Sequence, residues 1–221
     1  AISHVTPSPE ESSCRRSDAE SDAWTRTGGR WLIHCTRGCA GPWPGETERQ
    51  YRDSILLGGV SSTHRGPLDA LVRILRSGRI LAGAIATERR FPVVCFSSLS
   101  LQRLLQRRCY RPHLGRWDYE PYGVAINMAA ARTLGVQPVI YGEPGERSRL
   151  APDEQYRFHP IGKTYNWQDE HEWRCPCSVE LTKLDRAAVR IFAKDDRDAR
   201  LRLSDCRWAV TFITAGSNVR R

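Results

Sequence analysis

The sequence predicts a single domain of the α+β class. Seven short runs rich in apolar, aromatic and β-branched residues have the composition of strands, whereas only a few short segments carry a helical pattern. Strands and helices do not alternate strictly, and this favours α+β over a doubly wound sheet. At 221 residues the chain can bury one full core but is too short for two large domains.

The opening strand is predicted at residues 31–36, where a compact apolar run follows Gly28 and a second glycine. Residues 38–45 contain several glycines and prolines, so they predict a loop. Residues 46–57 have a helical pattern that places Tyr51 and Ile55 on one side.

A helix at residues 67–77 has the strongest pattern in the chain. Pro67 suits a first helical turn, and Gly78 suits the left-handed residue that ends a helix. Its apolar residues recur at the spacing i, i+3, i+4 and i+7, which lines one helical face: Leu68, Leu71, Val72 and Leu75.

Shorter elements follow in the second half of the chain. Residues 91–96 predict a strand, and Ser100 can cap a helix that begins just after it. The remaining expectations are a short helix at 128–134, a polar loop at 142–160, and strands at 122–126, 136–141, 172–181, 187–192 and 207–214.

Composition divides the chain into a flexible N-terminal arm, residues 1–30, and one folded domain, residues 31–221. The arm is polar and charged, and it has too little apolar surface to offset the entropy of ordering it. No run of about 18 apolar residues occurs, so we expect no membrane span and a cytoplasmic protein. The formal charge of +9 favours a polyanionic partner, or reflects only an arginine-biased composition.

The eight cysteines do not have the spacing of a zinc knuckle. They lie at positions 14, 35, 39, 95, 109, 175, 177 and 206. Cys35 and Cys95 fall in apolar strand-like runs, where a free thiol behaves as a small hydrophobic side chain. We therefore expect reduced, mostly buried thiols and no metal site.

The familiar nucleotide-binding and hydrolase motifs are absent. The sequence has no Gly-x-Gly-x-x-Gly, no Gly-Lys-Ser/Thr phosphate loop, no His-Glu-x-x-His and no Gly-x-Ser-x-Gly. Candidate chemistry is confined to three segments. Two follow predicted strands: His34, Thr36 and Arg37 end the first strand, and Ser97 and Ser98 end the strand at 91–96.

Each of these polar groups has a simpler structural explanation. His34 could be a satisfied core histidine and Arg37 a surface charge, and the two serines could cap the helix that follows.

The third segment carries two carboxylates, Glu170 and Glu172. Residues two apart on a strand point to the same face, where two like charges repel each other. In a cleft, one carboxylate could stabilise a sugar cation while the other orients or deprotonates a nucleophile. The alternative is a pair of solvated glutamates beside nearby arginines. The flanking Trp167 and Trp173 favour the functional interpretation.

The order of the three segments resembles that of the ADP-ribosyltransferase superfamily. Those enzymes have an Arg or His on the first strand, a Ser-Thr-Ser-like strand and a late Glu-x-Glu or lone glutamate. Over residues 31–174 the chain is also similar to bacterial abortive-infection-type proteins with such a domain. The matching stretches are 34–38 with 41–44, 75–78, 93–97, 122–126, 137–141 and 170–174.

This resemblance implies a split, curved β-fold with short peripheral helices that holds NAD in a cleft. By resemblance, His34, Thr36 and Arg37 would contact NAD, and Ser97 with Ser98 would brace its nicotinamide side. Glu172 would be the main catalytic residue. Glu170 would position the acceptor, and replacement of Glu172 by Gln would abolish transfer without unfolding the domain.

The subclass within the superfamily stays open at this point. The middle motif reads Ser-Ser-Leu, and the first strand offers both a histidine and an arginine. Three tyrosines could stack on nicotinamide: Tyr119, Tyr122 and Tyr165. The spacing singles out none of them, although Tyr122 is taken as the cofactor-binding residue.

The predicted function is therefore an NAD-dependent toxin or anti-phage effector. Its partners would be NAD, a nucleic-acid or protein acceptor, and an antitoxin or immunity protein, with no membrane. Two other functions are compatible with the residues. One is a non-catalytic sensor of phage components or nucleic acid. The other is a metal-independent RNase that uses His34 and His171 as acid and base.

Overall fold

The computed structural model describes residues 23–58, 64–112, 115–162 and 167–214. Strands β1 to β13 in chain order are Trp31–Cys35, Arg79–Ile80, Val94–Ser97, Tyr110–Arg111, Arg116–Trp117, Gly123–Asn127, Gln137–Pro138, Ile140–Gly142, Phe158–Pro160, Glu172–Cys175, Val179–Glu180, Val189–Lys194 and Ala209–Ile213. Helices α1 to α5 are Glu48–Leu57, Pro67–Ser77, Leu101–Gln106, Met128–Thr133 and Arg197–Arg202. Several short 3-10 turns connect these elements.

A seven-stranded, mostly antiparallel and curved sheet organises the fold. Its strand order is β13-β12-β6-β1-β3-β10-β7, and only β12 and β13 run parallel. The crossover between that parallel pair contains α5, which the sequence analysis did not predict. Three two-stranded ribbons, β2 with β11, β4 with β5, and β8 with β9, lie outside the main sheet. The α+β expectation is thus confirmed at the level of class.

The central strands separate two apolar clusters by simple alternation. On β1, Leu32 packs into the larger cluster and Ile33 into the smaller one. On β6, Val124 and Ala125 divide in the same way. Because neighbouring side chains on a strand point to opposite faces, both faces of this sheet are covered. The larger cluster also takes the buried face of α2, formed by Leu68, Leu71 and Val72.

The boundaries of α2 agree with its sequence signals. The helix runs from Pro67 to Ser77, with proline in its first turn and Gly78 in the left-handed conformation at φ 65°. Thr47 and Gln50 form a capping box at the start of α1, and Ser100 caps α3. Local chemistry therefore sets the beginning of all three helices.

The predicted boundary of the N-terminal arm is wrong for residues 23–30. Ala23–Arg26 form a 3-10 turn, and Trp24 is buried in the smaller cluster. Its indole Nε1 donates to the Thr211 hydroxyl at 3.1 Å, and its ring lies 5.7 Å from that of Trp31. The folded domain thus includes the Trp24 turn, because one large aromatic side chain supplies the apolar area that the segment otherwise lacks. Residues 1–22 lie outside the described residues.

Three further expectations need correction. The strand at 136–141 is divided into β7 and β8, which belong to different sheets. The predicted loop at 142–160 contains β9, which pairs in parallel with β8. The strand at 172–181 consists of β10 and β11, with a bend at the Cys-Pro-Cys sequence between them.

Candidate functional site

The site is centred where β1 and β3 separate. These two strands share the single registered pair Ile33–Ser97. One residue further along, the His34 imidazole hydrogen-bonds the Cys95 carbonyl at 2.9 Å. A side chain thus contacts the neighbouring strand beyond the registered pair, and residues of both strands line one cleft.

The cleft has a volume of about 1530 Å³. This exceeds the roughly 300–1,000 Å³ of a typical small-molecule pocket. Six of the eight predicted site residues line it, and they come from three separate parts of the chain: His34, Thr36, Arg37, Ser97, Glu170 and Glu172. The fold therefore brings the three sequence segments to one recess.

Glu172 begins β10 directly opposite Ser97. Its two carboxylate oxygens accept from Arg174 Nε at 3.0 Å and Nη2 at 3.2 Å, which is a two-point ion pair. The Glu172 side chain is 15% exposed and that of Arg174 is 0% exposed. Because residues two apart on a strand share a face, the Glu-x-Arg spacing places this pair on one side of β10.

Arg174 is held by more than Glu172. Nη1 donates to the carbonyls of Tyr156 and Phe158 at 3.0 and 2.9 Å, and Nη2 lies within 3.0 Å of His159 Nδ1. Such a guanidinium cannot shift without breaking several bonds, so it fixes the position of the Glu172 carboxylate. The sequence analysis did not single out Arg174, although its spacing from Glu172 is a usable signal.

Ser97 positions the segment that precedes β10. Its hydroxyl donates to the Glu170 carbonyl at 2.6 Å and accepts from the Leu99 N–H at 3.2 Å. His171, between the two glutamates, has a left-handed φ of 47°. Glu170 consequently ends a 3-10 turn and is not part of the strand, so the prediction that both glutamates lie on one strand face is wrong.

Glu170 nevertheless lines the cleft, in a half-buried setting. Burial raises the pKa of its carboxyl, the hydrogen bond with Tyr119 lowers it, and the nearby charges of Glu172 and Asp118 raise it. A carboxylate with a raised pKa is a better proton acceptor than an exposed one.

His34 is neutral in this environment. Burial lowers its pKa most, the bond to the Cys95 carbonyl raises it, and the charge of Arg37 lowers it. Since a carbonyl can only accept, Nδ1 carries the proton and Nε2 keeps a lone pair. His34 is thus prepared to accept a hydrogen bond at Nε2.

Two of the thiols that line the cleft, those of Cys35 and Cys95, are not nucleophiles at neutral pH. Burial raises the pKa of Cys35 to about 12. Burial and the nearby Glu172 carboxylate raise the pKa of Cys95 as well. A thiol is reactive mainly as its thiolate, so catalysis by Cys35 or Cys95 is not supported.

Thr36 and Arg37 have different surroundings in the cleft. Thr36 is buried, and its hydroxyl lies 2.8 Å from the Pro67 carbonyl and 3.1 Å from that of Tyr122, so its donor capacity is taken up by the fold. Arg37 is exposed. It lines the cleft together with His34, and its charge lowers the pKa of that imidazole.

Two predicted site residues lie elsewhere. The described residues that line the cleft include neither Ser98 nor Tyr122. The Ser98 backbone N–H donates to the His171 carbonyl at 3.1 Å. The Tyr122 side chain belongs to the larger core cluster, and its hydroxyl donates to Asp196 at 3.2 Å. Tyr165 lies outside the described residues. Tyr119, the remaining stacking candidate, does line the cleft.

Metal ligation and membrane insertion have no structural signature within the described ranges. No three His, Cys, Asp or Glu side chains come together there as a metal site. The longest helix described, α2, has 11 residues, and no described helix is long and apolar enough to cross a bilayer.

No protein-family model, curated protein or solved structure matches this chain.

Proposed function

We propose that the protein is an NAD-dependent ADP-ribosyltransferase that acts as a toxin or anti-phage effector on a nucleic-acid or protein acceptor. The convergence of His34, Ser97 and Glu172 on one cleft, at the point where β1 and β3 separate, supports this proposal most strongly. These are the three positions that the superfamily resemblance assigns to NAD.

The residues of the cleft fit a dinucleotide. The recess is large enough for one. His34 Nε2 is available to accept from a ribose hydroxyl, and the exposed Arg37 guanidinium suits a phosphate. When NAD is bound, its C–N glycosidic bond breaks with the electron pair going to nicotinamide, so positive charge develops on the ribose.

Glu172 is placed to stabilise that charge. A carboxylate has about four lone-pair sites, and Arg174 occupies two of them. The remaining sites can accept from a ribose hydroxyl and interact with the developing cation. Since Arg174 fixes the carboxylate, little reorganisation is required as the charge forms.

Glu170 would act on the acceptor. As the acceptor oxygen or nitrogen forms its bond to the ribose carbon, its proton would pass to the Glu170 carboxylate. The raised pKa of Glu170 favours this transfer. Ser97 holds the Glu170 backbone, which keeps the two carboxylates in a fixed relation.

A non-catalytic sensor is the second candidate, and one observation favours it. Glu172 is the counter-ion of a fully buried arginine, and this gives the carboxylate a structural use that requires no catalysis. The RNase alternative is not favoured. The hypothesis pairs His34 with His171, and the described residues that line the cleft include His34, His64 and His159 but not His171.

The first experiment measures NAD binding. NAD at 100 times its dissociation constant should stabilise the wild-type protein by about 2.7 kcal/mol, and a thermal-shift assay would detect this. Release of nicotinamide from NAD should accompany binding. A protein that neither binds NAD nor releases nicotinamide would contradict the transferase proposal. NAD binding without nicotinamide release would favour the sensor.

The second experiment isolates Glu172. The single variant Glu172→Gln leaves the buried Arg174 charge without its counter-ion, so lost activity could reflect lost folding. The double variant Glu172→Gln/Arg174→Met removes both charges. We expect it to fold and to remain inactive. A folded double variant that releases nicotinamide at the wild-type rate would show that Glu172 is not catalytic.

A further inference from the structure

The ribbon formed by β4 and β5 contains an unfavourable pair of like charges. Arg111 and Arg116 lie directly opposite each other across the two strands, and both line the cleft. Like charges at directly opposed positions destabilise a ribbon. The neighbouring cross-strand pair, Tyr110 with Trp117, lies on the other face of the ribbon, with ring centroids 5.4 Å apart.

Only one of the two arginines has an ion pair within the described ranges. Arg111 Nε donates to Asp118 Oδ2 at 2.6 Å. Arg116 forms no salt bridge there, and its Nε is shielded from solvent without a hydrogen-bond partner among the described residues. A half-buried guanidinium with a shielded, unpartnered N–H is not simply a solvated surface charge.

Arg37 brings a second cation to the same part of the cleft. It is exposed, and it has no ion pair to any residue that the structure describes. Burial lowers the pKa of Arg116 and the charge of Arg37 lowers it further, while Asp118 partly offsets both effects. Two guanidinium groups thus face one recess, and neither has an ion pair to a residue that the structure describes.

We infer that Arg37 and Arg116 together form a binding site for a phosphate group, as a pyrophosphate or a phosphodiester. Planar guanidinium groups bind phosphate oxygens through paired N–H donors. An incoming phosphate would offset the Arg111–Arg116 repulsion and would give the shielded Nε of Arg116 an acceptor. Neither the sequence analysis nor the superfamily resemblance assigned Arg116 a role.

Two ligands could bring this phosphate. One is the pyrophosphate of a dinucleotide in the cleft, and the other is the backbone of a nucleic-acid strand that crosses the ribbon. The inference does not depend on the proposed transferase reaction, because it concerns binding alone. A site that binds phosphate in a protein without nicotinamide release would leave this inference intact.

The experiment compares Arg116→Gln and Arg37→Gln with the charge-matched control Arg149→Gln. Arg149 has an 80% exposed side chain and does not line the cleft. The probes are ADP-ribose and a short single-stranded oligonucleotide, titrated at two salt concentrations. Each cleft variant should weaken binding of the responsible probe about tenfold or more, whereas Arg149→Gln should change it by less than about twofold.

The identity of the affected probe distinguishes the two sources. Weakened ADP-ribose binding would identify a dinucleotide pyrophosphate. Weakened oligonucleotide binding, with a salt slope lower by about one, would identify a nucleic-acid backbone. Arg116→Gln should also be at least as stable as the wild type in urea, since it removes the like-charge pair. Failure of the wild type to bind either probe, or wild-type affinity in Arg116→Gln, would overturn the inference.

Discussion

Replacement of Arg174 by methionine should destabilise the fold severely. The arginine side chain is 0% exposed, and it forms a two-point ion pair with Glu172. It also donates to three backbone carbonyls, those of Ala86, Tyr156 and Phe158. Methionine fills much of the same volume but restores none of these bonds.

The magnitude follows from the groups left behind. Removing one partner of a buried ion pair costs about 3–5 kcal/mol, because the other charge stays buried and unpaired. Each buried acceptor that water cannot reach adds about 1–3 kcal/mol. Allowing for water at some of the carbonyls, we expect a loss of about 5 kcal/mol. Typical domains have a free energy of unfolding of about 5–15 kcal/mol, so much of the stability would be lost.

Urea unfolding followed by circular dichroism measures this loss. The double variant Glu172→Gln/Arg174→Met should regain between about 1 and 3 kcal/mol relative to Arg174→Met, because the orphaned carboxylate is then absent. A loss below about 1 kcal/mol in Arg174→Met would show that the guanidinium is not buried as described. A double variant no more stable than Arg174→Met would show that the ion pair contributes less to stability than the hydrogen bonds to the three carbonyls.

Three further predictions concern folding. Trp24→Ala should lower the free energy of unfolding by about 3–5 kcal/mol in urea titrations. A loss below about 1 kcal/mol would show that residues 23–30 do not belong to the folded domain. Because the pKa of His34 is lowered in the folded protein, the unfolded state binds this proton more readily. The contribution of His34 to the free energy of unfolding is therefore complete above pH 6.5 and is lost as the pH falls below that value. The urea midpoint of the wild type should therefore fall between about pH 7.5 and about pH 5.5, and that of His34→Gln should fall less. The same pH dependence in both proteins would contradict a buried neutral imidazole. At Gly123 a Cβ would lie 2.1 Å from the His34 carbonyl and 2.5 Å from the Phe192 ring, so Gly123→Ala should cost about 1–3 kcal/mol by thermal unfolding.

The sequence predicts those elements whose residues decide their own conformation. The α2 helix has an apolar face, a proline at its start and a glycine at its end, and its predicted bounds agree with the observed ones. The central strands β1, β6 and β12 are rich in apolar residues, because both faces of the sheet are covered.

The elements that the sequence did not predict depend on partners distant in the chain. Strand β9 has three residues and pairs with the equally short β8, so it has no pattern long enough to recognise. The β4–β5 ribbon is rich in arginine, which hides its strand character. Trp24 was assigned to the arm because its partners, Phe192 and Thr211, are far away in the sequence.

The candidate site likewise contains residues that the sequence predicts and residues that were not predicted. His34 and Ser97 each have a simpler structural explanation when taken alone, and the order of the three polar segments along the chain is what singles them out. Arg174 was missed although it lies two residues from Glu172 on the same strand. Alternation along β10 places the two side chains on one face, so a buried Glu-x-Arg pair was open to prediction.

The ion pairs of the cleft determine which charges a ligand would meet. Glu172 is matched by Arg174, and Asp118 by Arg111. Glu170 adds a further carboxylate at the cleft, and the guanidinium groups of Arg37 and Arg116 face the same recess. A molecule that is anionic at one end and becomes cationic at the other is complementary to this arrangement. A dinucleotide that loses a neutral leaving group from its ribose has this distribution of charge.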